Sequence, residues 1–192
     1  MQQLEKLSWR SKLSFGVGAF GKDLVYALVG NLFMFYLTDV RFVAPAFVGT
    51  LFMVARIWDA FNDPFMGMVV DNTRSKWGKF RPWIIRICVP VALVSFLMYQ
   101  SGLSGASMTV KVIYMFVTYI LWGSLFYTAI NIPYGSMASV ITDDSRERAE
   151  LSTFRSMGAN FASVAIMVIA PAVIYYKDAD GNQIVSARNF TL

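Results

Sequence analysis

The stretch Val48-Gly-Thr-Leu-Phe-Met-Val-Ala-Arg56-Ile-Trp-Asp59-Ala-Phe-Asn62-Asp63-Pro64 places two aspartates and an arginine inside an otherwise apolar run. Spacings of three and four put Arg56, Asp59 and Asp63 on one helical face. Ionised groups at membrane depth are costly, and their default reading is an ion or solute pathway. The alternative is an Arg–Asp pair that only locks two helices together. One arginine does not neutralise two aspartates, which favours the functional reading.

The surroundings say membrane. Of 192 residues, 56% are hydrophobic, and the mean hydropathy is +0.51. Soluble domains are nearer 45–50% apolar. The excess lies in runs long enough to cross about 30 Å of hydrocarbon. Five spans are expected, at roughly 13–37, 46–70, 82–101, 110–134 and 151–176. They would form one all-α transmembrane bundle over 1–176, followed by an outside loop over 177–192. The first apolar run is too long for a signal-peptide core and lacks a small-residue cleavage site, so it should remain as a helix. An odd number of spans followed by an unfinished loop points to a truncated chain. Asn189-Phe-Thr191 matches a glycosylation acceptor, a pattern short enough to arise by chance.

The net charge is +5. Lys6, Arg10, Lys12, Arg74, Lys76, Lys79, Arg81, Arg146 and Arg148 fall on one side of the expected spans. Arg41, Lys111, Lys177 and Arg188 fall on the other. This bias puts the N-terminus in the cytoplasm and makes the charge a topology signal, not a nucleic-acid surface. Cys88 is the single cysteine. It lies in an apolar run and is expected to be a buried, inert thiol. There is no histidine, no metal-ligand spacing and no nucleophile–base pair, so an enzyme is not expected.

Other polar residues sit at depth. Gly16, Gly18 and Gly21 permit close helix contact ahead of Lys22 and Asp23. Lys22 and Asp23 are adjacent, point about 100° apart and are expected to find separate partners. Asp23 can accept hydrogen bonds from a polyhydroxylated solute, or serve a structural salt bridge. Thr128 and Asn131 share a face, and Pro133 frees a carbonyl nearby. Tyr119 and Trp122 read as packing or interface residues. Tyr127 lies one turn from Asn131 and reads as part of a site. Arg155 either snorkels to the surface or points inward at an acid. Three acids (Asp23, Asp59, Asp63) thus balance three bases (Lys22, Arg56, Arg155). The loop from Gly67 to Pro82 is basic and reads as a retention signal or as a charge clamp. In the clamp, Asp71 and the loop bases engage other helix ends, and the segment 142–148 supplies opposing charges.

Together these motifs resemble the glycoside–pentoside–hexuronide:cation symporters of the major facilitator superfamily, and are most similar to its melibiose-carrying members. The residues that carry the resemblance are Gly18-Ala-Phe-Gly-Lys22-Asp23, Phe35-Tyr-Leu-Thr-Asp39-Val, Val48-Gly-Thr-Leu-Phe, Arg56-Ile-Trp-Asp59-Ala-Phe-Asn62-Asp63-Pro64, Thr73-Arg-Ser-Lys-Trp-Gly-Lys79-Phe-Arg-Pro-Trp83, Tyr119-Ile-Leu-Trp-Gly123, Asn131-Ile-Pro-Tyr134 and Arg146-Glu-Arg148. The resemblance implies twelve spans in two six-helix bundles, with sugar and cation bound between them. This chain would be most of the N-terminal bundle, and the C-terminal half would be its missing partner. It implies cation ligands at Asp59, Asp63, Asn62 and Thr128, with Arg56 as a charge partner. Sugar contacts are implied at Asp23, Lys22, Tyr127 and Arg155. The cytoplasmic gate motif would be Gly67, Asp71, Arg74, Gly78 and Lys79. Where melibiose-carrying members have a second sugar-binding aspartate, this chain has Asn131. Where they have a sugar-stacking tryptophan, it has Gly135. Asn-Ile-Pro-Tyr is familiar among relatives that carry other glycosides, pentosides or glucuronides.

The expectation is a secondary active transporter of a sugar or glycoside in a bacterial inner membrane. It would be coupled to Na⁺ or H⁺, work by alternating access and need no cofactor beyond the coupling ion. The alternative is a transporter-related membrane sensor that binds sugar without accumulating it.

Overall fold

A computed structural model describes residues 6–100, 102, 103, 105–177 and 183–185. Five long helical stretches run α1 (Trp9–Val40), α2 (Pro45–Asp71), α3 (Arg81–Met98), α4 (Met108–Ile141) and α5 (Ser145–Ile174). A short antiparallel pair, Tyr175–Lys177 with Gln183–Val185, follows α5. This pair covers the described part of the expected outside loop. The rest of that loop, Arg188 and the Asn189 pattern included, lies outside the described residues.

The helix ends follow from local chemistry. Ser8 caps α1, its hydroxyl accepting from the Ser11 amide at 3.2 Å. Pro45 and Pro82 occupy first-turn positions of α2 and α3, where no amide hydrogen is needed. Asp144 caps α5 by accepting from the Arg146 amide at 2.8 Å. The tight loop between α2 and α3 needs a left-handed residue, and Gly78 supplies it at φ 86°.

Four helices, α1, α3, α4 and α5, are long and apolar enough to cross a membrane. α2 is 27 residues long and equally able to reach across. It falls short in hydropathy because Arg56, Asp59 and Asp63 occupy its middle. Large side chains on its outward surface, such as Ile57, Phe61 and Phe65, remain exposed.

Packing is organised around α1. Its closest neighbour is α5, although about 100 residues separate them in the chain. Small residues make this possible. A Cβ on Gly158 would collide with the Gly16 carbonyl and stand 3.0 Å from the Phe20 amide. A Cβ on Gly16 would stand 3.1 Å from the Phe154 carbonyl. The near end of this seam is tied by Lys12, which reaches Glu147 at 2.6 Å and Glu150 at 2.5 Å. The Glu147 contact is an ion pair whose angle does not make a hydrogen bond. Lys12 thus fastens two helices, beyond the topology signal that its position suggests.

One apolar cluster, including Phe33, Tyr36, Leu51, Tyr99 and Trp122, fills the far end of the bundle. Two smaller clusters close the near end, around Phe15, Tyr134 and Leu151 and around Met66, Val70 and Phe80. Between them the bundle is hollow. Cys88 corrects an expectation: it is exposed on α3, not buried among helices. An apolar run around a thiol does not distinguish a lipid-facing from a protein-facing surface.

Overpacking a close helix contact costs about 1–3 kcal/mol. Gly158→Ala should therefore lower the thermal midpoint of the purified protein in detergent. Gly49→Ala, where a Cβ meets nothing within 4 Å, should leave it unchanged. Equal midpoints for the two variants would show that the seam is not closely packed.

Candidate functional site

The hollow is a cavity of about 900 Å³ lined by α1, α2, α4 and α5. No residue of α3 contributes to it. All six charged residues singled out at depth, Lys22, Asp23, Arg56, Asp59, Asp63 and Arg155, line this one space.

On the α1 side, Lys22 donates to Asp23 Oδ1, to the Tyr127 hydroxyl at 2.9 Å and to Asn131 Oδ1 at 3.0 Å. An ammonium has three N–H donors, and all three are used. The Tyr127 hydroxyl in turn donates to Asp23 Oδ1 at 2.9 Å. Among the described residues, Asp23 Oδ2 has no partner. The pairing of Lys22 with Asp23 overturns the expectation that adjacent residues find separate partners. The 100° between their Cβ directions is bridged by the four methylenes of lysine, which let the ammonium curl back beside its neighbour. The Lys22 ammonium also lies 5.0 Å from the centre of the Tyr127 ring.

An aromatic wall stands next to this network. Tyr127 stacks on Tyr26 at 4.8 Å and on Trp122 at 5.3 Å. Trp122 is buried, and its indole donates to Ser95 Oγ at 2.7 Å. Tyr119 packs on Phe33 at 5.5 Å and also lines the cavity. Arg155 points inward: its guanidinium stands over Gly135, where a Cβ would meet Nη1 at 3.0 Å. No hydrogen bond or ion pair is seen for Arg155 among the described residues.

On the α2 side, Asp59 Oδ1 accepts from Ser124 Oγ at 2.5 Å. One turn on, Asp63 Oδ1 accepts from Thr128 Oγ1 at 3.2 Å. The Thr128 hydroxyl also stands 3.1 Å from the Gly123 carbonyl. Its single proton serves one of these acceptors at a time. Asn62 does not line the cavity; its amide donates to the Ser124 carbonyl and ties α2 to α4. Arg56 is 3.9 Å from Asp59, with its side chain 72% exposed. At that distance and exposure the pair is a weak one.

The display of oxygens on α4 has a backbone cause. Residues Leu121–Tyr127 form π-helical turns, in which each turn is wider than in an α-helix. Such turns are frequent at functional sites. Here they present Ser124 and Thr128 to α2 while Tyr127 and Asn131 face α1.

The gate-motif residues stand apart from the cavity, at the end of α2 and in the loop after it. Asp71 pairs with Lys79 at 2.7 Å within that same loop. Asp144 is used as a helix cap, and Arg148 reaches the Asp143 carbonyl at 3.4 Å. In this conformation, therefore, Asp71, Lys79 and Asp144 are engaged locally, and no ion pair joins the two loops among the described residues.

Two parts of the cavity escaped the sequence reading. Ser124 lies four residues before Thr128, and that i,i+4 spacing is the signal that marks it. On α5, Ser152, Ser156, Asn160 and Ser163 form a polar stripe at helical spacing along the cavity wall.

A chain of long apolar helices around a charged cavity fits the N-terminal bundle of a major-facilitator-type fold. Residues 14–188 match the family described as MFS/sugar transport protein, and the chain belongs to that family. It is 41% identical to the inner membrane symporter YicJ of Escherichia coli over 79% of the chain and 32% of that protein. It is 38% identical to an isoprimeverose transporter of Lactiplantibacillus pentosus over 88% of the chain and 35% of that protein. It is 34% identical to a glucuronide carrier protein homolog of Escherichia coli over 97% of the chain and 40% of that protein. The chain thus spans a third to two-fifths of the length of these relatives.

The Lys22–Asp23 side chains are 6% and 10% exposed. Removing one member of such a buried pair typically costs about 3–5 kcal/mol, whereas replacing both with apolar residues is often neutral. Lys22→Met should therefore lower the melting midpoint sharply, and adding Asp23→Leu should restore it. If the double variant is no more stable than the single one, the pair is not the neutralising contact described here.

Proposed function

We propose that the protein is a symporter that carries a sugar or glycoside together with Na⁺ or H⁺ by alternating access. The observation that carries this reading is the double use of α4. Within eight residues it offers Ser124 and Thr128 to the aspartates of α2, and Tyr127 and Asn131 to the ion pair of α1. One rigid element therefore touches both halves of the cavity.

The cation half is Asp59, Asp63, Ser124 and Thr128. Hard cations prefer all-oxygen ligands. When Na⁺ enters, the Thr128 proton turns fully to the Gly123 carbonyl, and the hydroxyl lone pairs face the ion. The Ser124 hydroxyl can keep donating to Asp59 while its oxygen lone pairs would face the ion. Coupling to H⁺ would use the same two carboxylates. Beyond the sugar, the coupling ion is the only non-protein group that this scheme needs.

The sugar half is Lys22, Asp23, Tyr127, Asn131 and Arg155. Asp23 Oδ2 and the Arg155 guanidinium offer an acceptor and donors to hydroxyls, and Tyr26, the exposed ring of the Tyr26–Tyr127–Trp122 stack, offers an apolar face to the C–H side of a sugar ring. A cavity of about 900 Å³ lies in the usual range of small-molecule sites, about 300–1,000 Å³. Cation binding that draws α4 toward α2 alters the position of Tyr127 and Asn131, which links the two affinities reciprocally.

The relatives' greater length leaves room for a second bundle to supply the opposite wall. An inner-membrane location with a cytoplasmic N-terminus agrees with the basic bias of the loops. The relatives are named as symporters and transporters, and no observation favours a sensor.

In membrane vesicles containing the protein as expressed from its gene, Asp59→Cys or Asp63→Cys should abolish accumulation driven by a Na⁺ or H⁺ gradient. Downhill exchange of labelled sugar should persist in part. Accumulation by both variants at the wild-type level would remove the α2 acids from the coupling site. Asp23→Ala should weaken sugar binding about tenfold or more, since a hydrogen bond to a charged group is worth roughly 1.5–3 kcal/mol. Unchanged affinity in a binding titration would move the sugar site elsewhere.

A further inference from the structure

The loop between α2 and α3 holds side chains that neither the cavity nor the gate motif uses. Lys76, Trp77 and Arg81, with Ile85 of α3, line an open depression of about 440 Å³. No acidic residue lines it. Lys79, the neighbouring base, is already paired with Asp71. Lys76 and Arg81 are exposed, and no ion pair is seen for either among the described residues.

This part of the loop is built, not slack. Ser75 accepts from the Trp77 amide at 3.1 Å and donates to the Gly78 carbonyl at 2.8 Å. The Trp83 indole donates to Thr73 Oγ1 at 2.9 Å, which fastens the loop to α3. Trp77 is nevertheless 64% exposed, an amphipathic ring with no protein surface to cover it.

The surroundings select the ligand. α3 gives nothing to the cavity, so it lies at the back of the bundle, away from the wall that a second bundle would complete. Ile85, Val89 and Leu93 follow Arg81 at four-residue spacing and form an exposed apolar stripe down α3. Two free cations and an indole thus stand at the top of an apolar track. That order, anion-binding rim, interfacial tryptophan, hydrocarbon surface, is the order of groups along a phospholipid.

We propose that Lys76, Trp77 and Arg81 bind the phosphate headgroup of an anionic phospholipid, one of whose acyl chains runs along Ile85 and Val89. The two cations clamp the phosphate, and Trp77 covers the glycerol region. By holding a lipid against the loop, the site would steady the segment that carries Asp71 and Lys79.

The test is native mass spectrometry of the protein as expressed from its gene, released from micelles containing phosphatidylglycerol and phosphatidylcholine in equal amounts. The wild type should retain phosphatidylglycerol in preference. Combining Lys76→Gln with Arg81→Gln should lower that retention by about tenfold or more, as expected for two lost headgroup contacts. Combining Arg10→Gln with Arg148→Gln removes the same charge elsewhere and should change it by less than about twofold. No preference in the wild type overturns the proposal, whether because the site is weak or because another part of the polypeptide covers this face. Equal losses in the two double variants also overturn it, since a general field would then explain the binding. If excess inorganic phosphate strips the lipid from the wild type, the ligand is the free anion, and the lipid assignment falls.

Discussion

The close approach of α1 and α5 is the contact on which the cavity depends. Two glycines, Gly16 and Gly158, let the backbones touch. Between membrane helices there is no hydrophobic drive, so shape and dispersion have to supply the attraction. With α5 held this close, its polar stripe and Arg155 are committed to the inside. The Lys12–Glu147 pair closes the same seam at its end. Were α5 a few ångströms farther out, Arg155 would leave Gly135 and the cavity would lose one wall.

Against that frame the two charged centres are solved differently. Lys22 and Asp23 neutralise each other and spend every ammonium donor on protein groups. Asp59 and Asp63 have hydroxyls as partners and only a distant, largely exposed arginine. A neutralised pair and an undersatisfied pair face one another across α4. The first is ready to exchange protein hydrogen bonds for those of a solute. The second has no cation close enough to neutralise it, which is the condition the proposed cation site rests on. The asymmetry is chemical before it is functional, and it makes the symport reading specific about which side does which task.

How much of this the sequence carries depends on the kind of signal. Apolar runs mark the helices because burial in hydrocarbon demands them. Charged residues in those runs stand out by cost, and the six singled out line the cavity, whereas Arg86 on α3 and Lys111 at the start of α4 do not. Small polar residues do not stand out: Ser124, Ser152 and Ser156 are common in membrane helices as packing residues. The π turns at Leu121–Tyr127 are equally hidden, since counting by 3.6 residues assumes the regular helix that they interrupt. Lys22 and Asp23 show a different limit. Helical periodicity reports Cβ directions, whereas a lysine ammonium sits several bonds beyond its Cβ. Asn62, which the family resemblance implies as a ligand, donates its amide to the Ser124 carbonyl and does not line the cavity. For Cys88, residue type alone could not separate lipid from protein as the apolar neighbour.

The Lys22–Asp23 pair also bears on biogenesis. α1 is synthesised first, while Tyr127 and Asn131 are made about 100 residues later. During that interval the segment has to enter the membrane without its eventual partners. A lysine and an aspartate at the centre of a span each cost roughly 2.5–3.5 kcal/mol at insertion. Because the two are sequence neighbours, the helix brings its own counter-ion, and the charges can be matched before any other helix arrives. Tyr127 and Asn131 then join a dipole that has already been delivered. Placing the same two charges on separate helices would leave each unmatched at the moment of entry, so adjacency makes the polar core compatible with stepwise assembly.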